Sequence, residues 1–368
     1  MLNDLKETLK AYVNRPSGSN DKDDVNEVGA LIRADFESLG FNVTAIPGKK
    51  YGDVLVCRIG TGKKQLMLMG HMDTVFPRDM AVPFTPVEGS IIKGSGITDM
   101  KGGIAVMLYA LKDVLPKIDL AEYSICAVIN ADEEVGASES FDVILNTAKE
   151  SFAALSFEPM RAGNYLVSAR KGVTSLLLEC KGIPGHAGVA YTSCASAIQA
   201  LCAQITKLYS IRDDAKEISF NVGVINGGTA TNVVAPYASA KCEFRYFNEA
   251  YKEPLKQKIL ELTADEPVSG ATTTVTFGGN HPACDDTEAS MALAKTAFSV
   301  GEKLGIELHT QKTGGAGDIA IAALAGIGVL DGLGNGGGGI HTTDEYCDFE
   351  MTKQNVALAS GLIAELCK

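Results

Sequence analysis

The 368-residue chain has no tryptophan and only five histidines. It has no run of about 18 apolar residues, the length that would cross a bilayer as a helix, so no membrane partner is expected. The opening stretch MLNDLKETLKAYVNRP lacks the basic and continuous apolar regions of a signal peptide, which leads us to expect a soluble, cytoplasmic protein. Positive charge is scarce as well: 33 Lys and Arg against 45 Asp and Glu give a formal net charge of -12. No dense basic cluster offsets it, which argues against nucleic acid as a partner. An anionic substrate would need a local attractor, such as a bound cation or one positioned arginine. The nine cysteines form no CxxC pair, so neither a disulfide framework nor a thiolate zinc site is expected, and metal ligands should be His, Asp and Glu.

What is present divides the chain. Its length exceeds the roughly 100–200 residues of one ordinary folded unit, so two domains are the starting expectation. Val25, Val28, Leu31, Ile32, Phe36 and Leu39 recur at helical spacing and stop at Gly40, predicting a helix over 23–39. Apolar segments 53–58, 65–69 and 124–130 read as strands, with a helix over 102–115 between the last two, an alternation that suggests an α/β sheet buried on both faces. From 172 the order becomes β-α-β-β-α-β, the ferredoxin-like arrangement. After Pro282 the first pattern resumes. Residues 172–282 therefore read as a domain inserted between 1–171 and 283–368, which together form the other. The segment GLGNGGGG, 332–339, reads as a mobile loop leading to His341.

Four short segments end apolar runs with carboxylates or histidine: GHMD (70–73), GSGITDMKGG (94–103), NADEEVG (130–136) and SFEP (156–159). In an open α/β sheet, ligands bind beyond the carboxyl ends of the strands, so His71, Asp73, Glu133, Glu134 and Glu158 should converge on one crevice. Asp99 joins them from a Gly-rich turn before a helix. Each residue alone has a plainer explanation: His71 as a hydrogen-bonded core histidine, Glu133 and Glu134 as a solvated turn, Asp99 as a helix N-cap, Glu158 as an exposed loop residue. Together they crowd too many carboxylates to stay ionised without cations. Two divalent metals resolve that conflict, and imidazole with carboxylate suits zinc, with cobalt or manganese open on the same grounds. The two-residue spacing of His71 and Asp73 puts both on one side of an extended segment.

These segments, with GIPGHAG, GGTATNVVA, FRYFN, GGAGD and GIHTTDEY, run in order over nearly the whole chain. In that order they resemble the zinc aminoacylase and carboxypeptidase metallopeptidases, which include glutamate carboxypeptidase, acetylornithine deacetylase and succinyl-diaminopimelate desuccinylase. The resemblance implies a zinc-exopeptidase-like mixed sheet flanked by helices, with the inserted βαββαβ domain serving dimerisation and closure. It implies two Zn²⁺ per chain, one on His71 and Glu158, the other on Glu134 and His341, with Asp99 bridging. Asp73 would accept the proton of the second His71 ring nitrogen, and Glu133 would be the general base. His186, otherwise a surface histidine, would reach the partner subunit's site and stabilise an oxyanion, which implies a homodimer through 172–282. Arg245 projects from the strand face opposite Cys242, Phe244 and Tyr246, where a salt bridge on a solvated face would also account for it. The resemblance instead gives Arg245 and Asn232 the substrate's carboxylate, and backbone N–H groups around Gly315 could serve the same anion.

A glutamate at position 158 is usual in the carboxypeptidase and deacylase branches, whereas His281 stands where the glutamate-selective branch carries arginine, leaving that side-chain preference open. His281 and His309 otherwise look like surface residues. The expected function is a carboxypeptidase-type hydrolase that cleaves an amide beside a free carboxylate, in a small peptide or N-acyl amino acid. The alternatives are an N-acyl amino acid deacylase, a di- or tripeptidase, or a catalytically silent paralogue that binds metal or an amino acid. Glu133 beside a full ligand set argues against the last.

Overall fold

The apolar run before His71 becomes the strand Lys64–His71, buried at every position after Lys64 because it lies inside a sheet. In the computed structural model, which describes residues 2–368, this sheet has six strands. Their order is Asn42–Ile46, Val54–Ile59, Tyr123–Asn130, Lys64–His71, Ser151–Ser156 and Gly328–Leu330. The central three are parallel, with His71 level with Asn130 and Met69 level with Ser156. The chain therefore leaves all three strands at one edge, and it is there that His71, Glu133, Glu134 and Glu158 follow.

Helix Lys22–Ser38 starts at Asp21, whose carboxylate accepts the Asp24 N–H at 3.3 Å, and it buries Val25, Val28, Ile32 and Phe36, the stripe its periodicity predicts. Helix Lys101–Val114 is buried from Lys101 to Leu111 and packs against both the sheet and the C-terminal helix Phe349–Leu366. Its first turn needs glycine: a Cβ at Gly103 would lie 1.9 Å from the Phe157 carbonyl oxygen. That closeness ties the helix start to the loop carrying Glu158.

The sequence reading assigns no helix at Leu2–Val13 or Phe141–Lys149 and no strand at Asn42–Ile46 or Tyr165–Arg170. Asn42–Ile46 is an edge strand with only Val43 buried, so its apolar signal is weak. The expectation of a mobile loop over 332–339 is overturned. Leu333 to Gly336 are buried, and Cβ atoms at Gly334 and Gly337 would lie 2.1 Å from Phe157 O and 2.0 Å from Tyr346 O. These glycines permit close backbone packing rather than freedom.

The chain divides into two compact units, Met1–Ala169 with Asp286–Thr313 and Gly317–Lys368, and Arg170–Asp285 with Gly314–Ala316. The second holds strand Gly172–Lys181, helix Ala197–Leu208, strands Ser219–Gly227 and Tyr237–Tyr246, helix Lys252–Thr263 and strand Thr272–His281. Its four strands form one antiparallel sheet in which Gly172–Lys181 lies between Tyr237–Tyr246 and Thr272–His281, leaving Ser219–Gly227 at an edge. Strict alternation of burial along Gly172–Cys180 sends Leu176, Leu178 and Cys180 to a core shared with Ala200, Leu201, Leu255 and Ile259 of the two helices.

Candidate metal centre

His71 ends its strand with its ring buried, and its Nε2 lies 3.1 Å from Asp99 Oδ1 and 3.5 Å from Glu158 Oε1. Asp99 turns its other oxygen, Oδ2, to His341 Nε2 at 3.4 Å, and His341 Nε2 is 3.2 Å from Glu134 Oε2. Two groups result, His71 with Asp99 and Glu158, and Asp99 with Glu134 and His341, each with ligand atoms within 4.8 Å of one another. Asp99 belongs to both. A third grouping, His71 with Glu133 and Glu134, overlaps them.

His71 is buried and hydrogen-bonded, but the plainer explanations for Asp99, Glu133, Glu134 and Glu158 do not hold. The residue before helix Lys101–Val114 is Met100, with no side-chain cap bond, so Asp99 does not cap it. Glu158 is buried, and Glu133 and Glu134 form a short 3₁₀ turn, Glu133–Val135, with the Glu134 side chain only 6% exposed. The Glu134 Oε1 atom is buried without a hydrogen-bond partner, a costly arrangement for a carboxylate unless a cation faces it. Imidazole nitrogens and carboxylate oxygens, with one carboxylate common to both groups, fit a pair of divalent ions.

Charge balance points the same way. Burial resists a charged His71, yet contacts with Asp73, Asp99 and Glu158 raise its pKa well above the usual histidine value. His341, about half exposed, is pushed up to about 10 by hydrogen bonds to Asp99 and Glu134. Burial alone would raise Asp99, but bonds to the two histidines hold it well below the carboxylate range. Glu133 is raised well above that range by burial, with Asp318, Glu158 and Glu134 adding to the effect against His71. The carboxylates thus draw both histidines toward their protonated forms, a demand for positive charge that cations would also meet.

Asp73, fully buried, does more than the sequence suggests. His71 Nδ1 lies 3.0 Å from the Asp73 carbonyl oxygen and 3.4 Å from its Oδ1, so the main chain is the nearer acceptor. The carboxylate accepts the Glu133 N–H at 3.3 Å, the Glu134 N–H at 3.2 Å and the Ser19 hydroxyl at 2.7 Å. One aspartate thus orients both a histidine and the Glu133–Glu134 turn.

Several residues here lie inside the quoted segments, yet nothing in the sequence assigned them a role of their own. Asn130, at the end of its strand, donates to Asp318, and Asp318 lines a small cavity with His71, Glu133 and Glu158. Lys101 is buried with its Nζ donating to the Arg15 carbonyl at 2.6 Å, and burial lowers its pKa to about 7. Glu345 is buried and accepts three backbone N–H groups from the segment that carries Asp99. Burial pushes it up to about 7, against the lowering effect of those bonds. Motif spacing could not single these out, because their partners lie up to 249 positions away.

His186, Asn232, Arg245 and Gly315 lie in the second unit. His186 is exposed, and its Nδ1 accepts the Gly188 N–H at 3.1 Å, which leaves Nε2 as the N–H of the neutral ring. The Asn232 carbonyl accepts the Ala187 N–H at 3.0 Å, so the two segments are joined. Arg245 grips Glu243 through Nε at 2.8 Å and Nη2 at 3.3 Å, and donates through Nη1 to Gly314 O at 2.8 Å. His281 is buried, not a surface residue, because it ends a strand paired with Gly172–Lys181.

Fold and site together define a metal-dependent hydrolase, with candidate ligands offered from three strand ends and two loops and one carboxylate common to both groups. The family described as Peptidase family M20/M25/M40 matches residues 67–365, and the chain belongs to it. It is 32% identical to carboxypeptidase G2 of Pseudomonas sp. (strain RS-16), over 98% of this chain and 88% of that one. It is 26% identical to succinyl-diaminopimelate desuccinylase of Pseudoalteromonas translucida, over 94% of each. Among solved structures, aminopeptidase PepT of Bacillus cereus covers 100% of this chain and 99% of its own, with a TM-score of 0.83 at 24% identity. A metallo-carboxypeptidase of the same family from Sulfolobus solfataricus gives 0.74 at 16% identity, over 98% of each chain. The mixed α/β fold is thus that of the family, and the protein is a metal-dependent peptidase or amidohydrolase.

Proposed function

We propose that this protein is a two-metal carboxypeptidase-type amidohydrolase, cleaving the amide next to a free carboxylate in a small peptide or N-acyl amino acid. The observation that carries this reading is Asp99, whose two oxygens face His71 and His341 in separate ligand groups with Glu133 alongside. Zinc, or cobalt or manganese, would be held by His71, Asp99 and Glu158 on one side and by Asp99, Glu134 and His341 on the other. When bound, such ions polarise a carbonyl and acidify water.

The chain's own residues account for the rest. Glu133, held by Asp73 through its backbone, takes a proton as water attacks the scissile carbonyl carbon and returns it to the amine nitrogen as the C–N bond breaks. The free Nε2–H that the Gly188 bond leaves on His186 suits it to donate to the developing oxyanion. Arg245 has five N–H donors, three of them engaged by Glu243 and Gly314, and the remaining two, with Asn232 and the backbone at Gly315, would hold the substrate carboxylate. A homodimer fits the second unit, where edge strand Ser219–Gly227 exposes Val224 and Ile225 and the adjacent helix exposes Ile198.

Similarity to carboxypeptidase G2 supports the carboxypeptidase reading over deacylase or tripeptidase. A metal-loaded panel of N-acyl amino acids, dipeptides and tripeptides, with products identified by mass spectrometry, tests it. Release of a C-terminal amino acid from blocked substrates is expected. Cleavage only of substrates with a free amino group would replace this reading with that of an aminopeptidase.

A further inference from the structure

Glu345 stands four residues after His341, and its side chain takes no part in either ligand group. It is 1% exposed, and its side-chain oxygens are turned to the loop bearing Asp99. Oε1 accepts the N–H groups of Thr98 at 2.7 Å and Asp99 at 2.9 Å, and Oε2 accepts the N–H of Gly96 at 2.8 Å. The Glu345 carbonyl accepts the Gly94 N–H at 3.1 Å. Thr98 Oγ1 donates to Tyr346 O at 2.7 Å, and Asn335 Nδ2 donates to Ile97 O at 2.8 Å. Around Asp99 the loop is thus bonded by the segment that follows His341, while Ser95 is held separately by Val82.

That segment is itself tightly closed. His341 has a φ of +64° and Gly339 a φ of +67°, and a Cβ at Gly339 would lie 2.6 Å from Asp344 O. Backbone bonds Thr342 N–H to Gly339 O at 3.0 Å and Glu345 N–H to Thr342 O at 3.1 Å complete the turn. A carboxylate anchored at its end fixes where the imidazole points.

We infer that Glu345 is a positioning residue for the second metal subsite: by accepting three N–H groups around Asp99 it sets the bridging carboxylate against His341. The inference rests on the proposed metal centre. It makes a specific chemical demand, since both oxygens must be acceptors. A glutamine of the same shape turns its NH₂ group against at least one N–H donor, so packing is kept and the clamp is lost. Aspartate keeps both acceptors one methylene short.

The test is metal binding, read without reference to activity. Glu345→Gln and Glu345→Asp in the full chain are stripped, reloaded with Zn²⁺ and titrated against a chromophoric chelator. In Glu345→Gln one of the two ions should lose at least about tenfold in affinity while the other changes little, and Glu345→Asp should fall between this variant and the unmodified protein. Two ions held within twofold of their unmodified affinities in folded Glu345→Gln would overturn the inference, as would equal weakening of both.

If the glutamine variant does not fold, hydrogen exchange in the unmodified full chain decides. The amides of Gly96, Thr98 and Asp99 should stay protected after the metal is stripped, because Glu345 and not the ion holds them. Exchange as fast as that of open amides would overturn the role of Glu345. An unmodified protein that takes up no metal would instead sink the proposed function, and the exchange result would still stand on its own.

Discussion

The Asp73 carboxylate accepts the backbone N–H of Glu133 at 3.3 Å, so the residue that positions His71 through its carbonyl also positions the proposed base. A buried aspartate with acceptors turned toward a histidine, a serine hydroxyl and two amides ties together the loops that follow strands Lys64–His71 and Tyr123–Asn130. Its neighbours inherit their places from it.

Replacing Asp73 should therefore do more damage than losing one hydrogen bond. In Asp73→Asn the side-chain amide must face a donor, leaving buried N–H groups unsatisfied at about 1–3 kcal/mol each. We expect metal affinity to fall by about 10–100-fold and thermal stability to drop together with it. Metal titration and thermal melting of the same preparation would reveal an unaffected variant, which would reduce Asp73 to a spectator.

Glu133 lies beside the ligands but is proposed to move protons rather than hold metal. Glu133→Ala should lower kcat by about 10²–10⁴-fold, the usual worth of a general acid–base group, while metal content per chain is unchanged. Elemental analysis alongside steady-state kinetics separates the two effects, and loss of metal would make Glu133 a ligand instead.

Metal uptake should release protons. His341, raised to about 10 by Asp99 and Glu134, is protonated at pH 7 in metal-free protein. Because its folded pKa lies above the unfolded value of about 6.5, its contribution to metal-free stability is full below that value and is lost as pH climbs through about 10. A divalent ion requires the neutral ring, so affinity should weaken as pH falls. Calorimetry at pH 7 in two buffers of different ionisation enthalpy measures the protons released, and a count of zero would contradict this.

Gly103→Ala should destabilise the protein even though alanine favours a helix by about 1 kcal/mol over glycine. The new methyl would meet the Phe157 carbonyl at 1.9 Å and push on the loop that carries Glu158. A loss of at least about 1–3 kcal/mol, measured from denaturant midpoints, is the expected cost of forced overpacking. A neutral or stabilised variant would mean the helix start shifts freely.

If His186 serves the partner's site, mixing inactive His186→Ala with inactive Glu133→Ala subunits should restore part of the activity through hybrid dimers. Mass spectrometry of the mixture establishes exchange, and no recovery after proven exchange would confine each site to one chain.

Much of this was legible in the sequence by itself. The apolar runs before His71, Asn130 and Ser156 are strands because nothing polar interrupts them, and the stripe from Val25 to Phe36 is a helix because its period is 3.6 residues. The order of the motifs carried the ligand types. The place of Asp99 between two histidines was already implied by the resemblance, and the structure brings them together. Tertiary structure alone decided that Asp73 holds the Glu133–Glu134 turn and that Glu345 reaches back across 247 positions to Thr98. It also decided that the glycines of 332–339 are close-packed, where composition suggested mobility. The physical reason is range: side-chain periodicity reports which face is buried within a few residues, whereas a hydrogen bond between distant segments exists only once the core has brought them together.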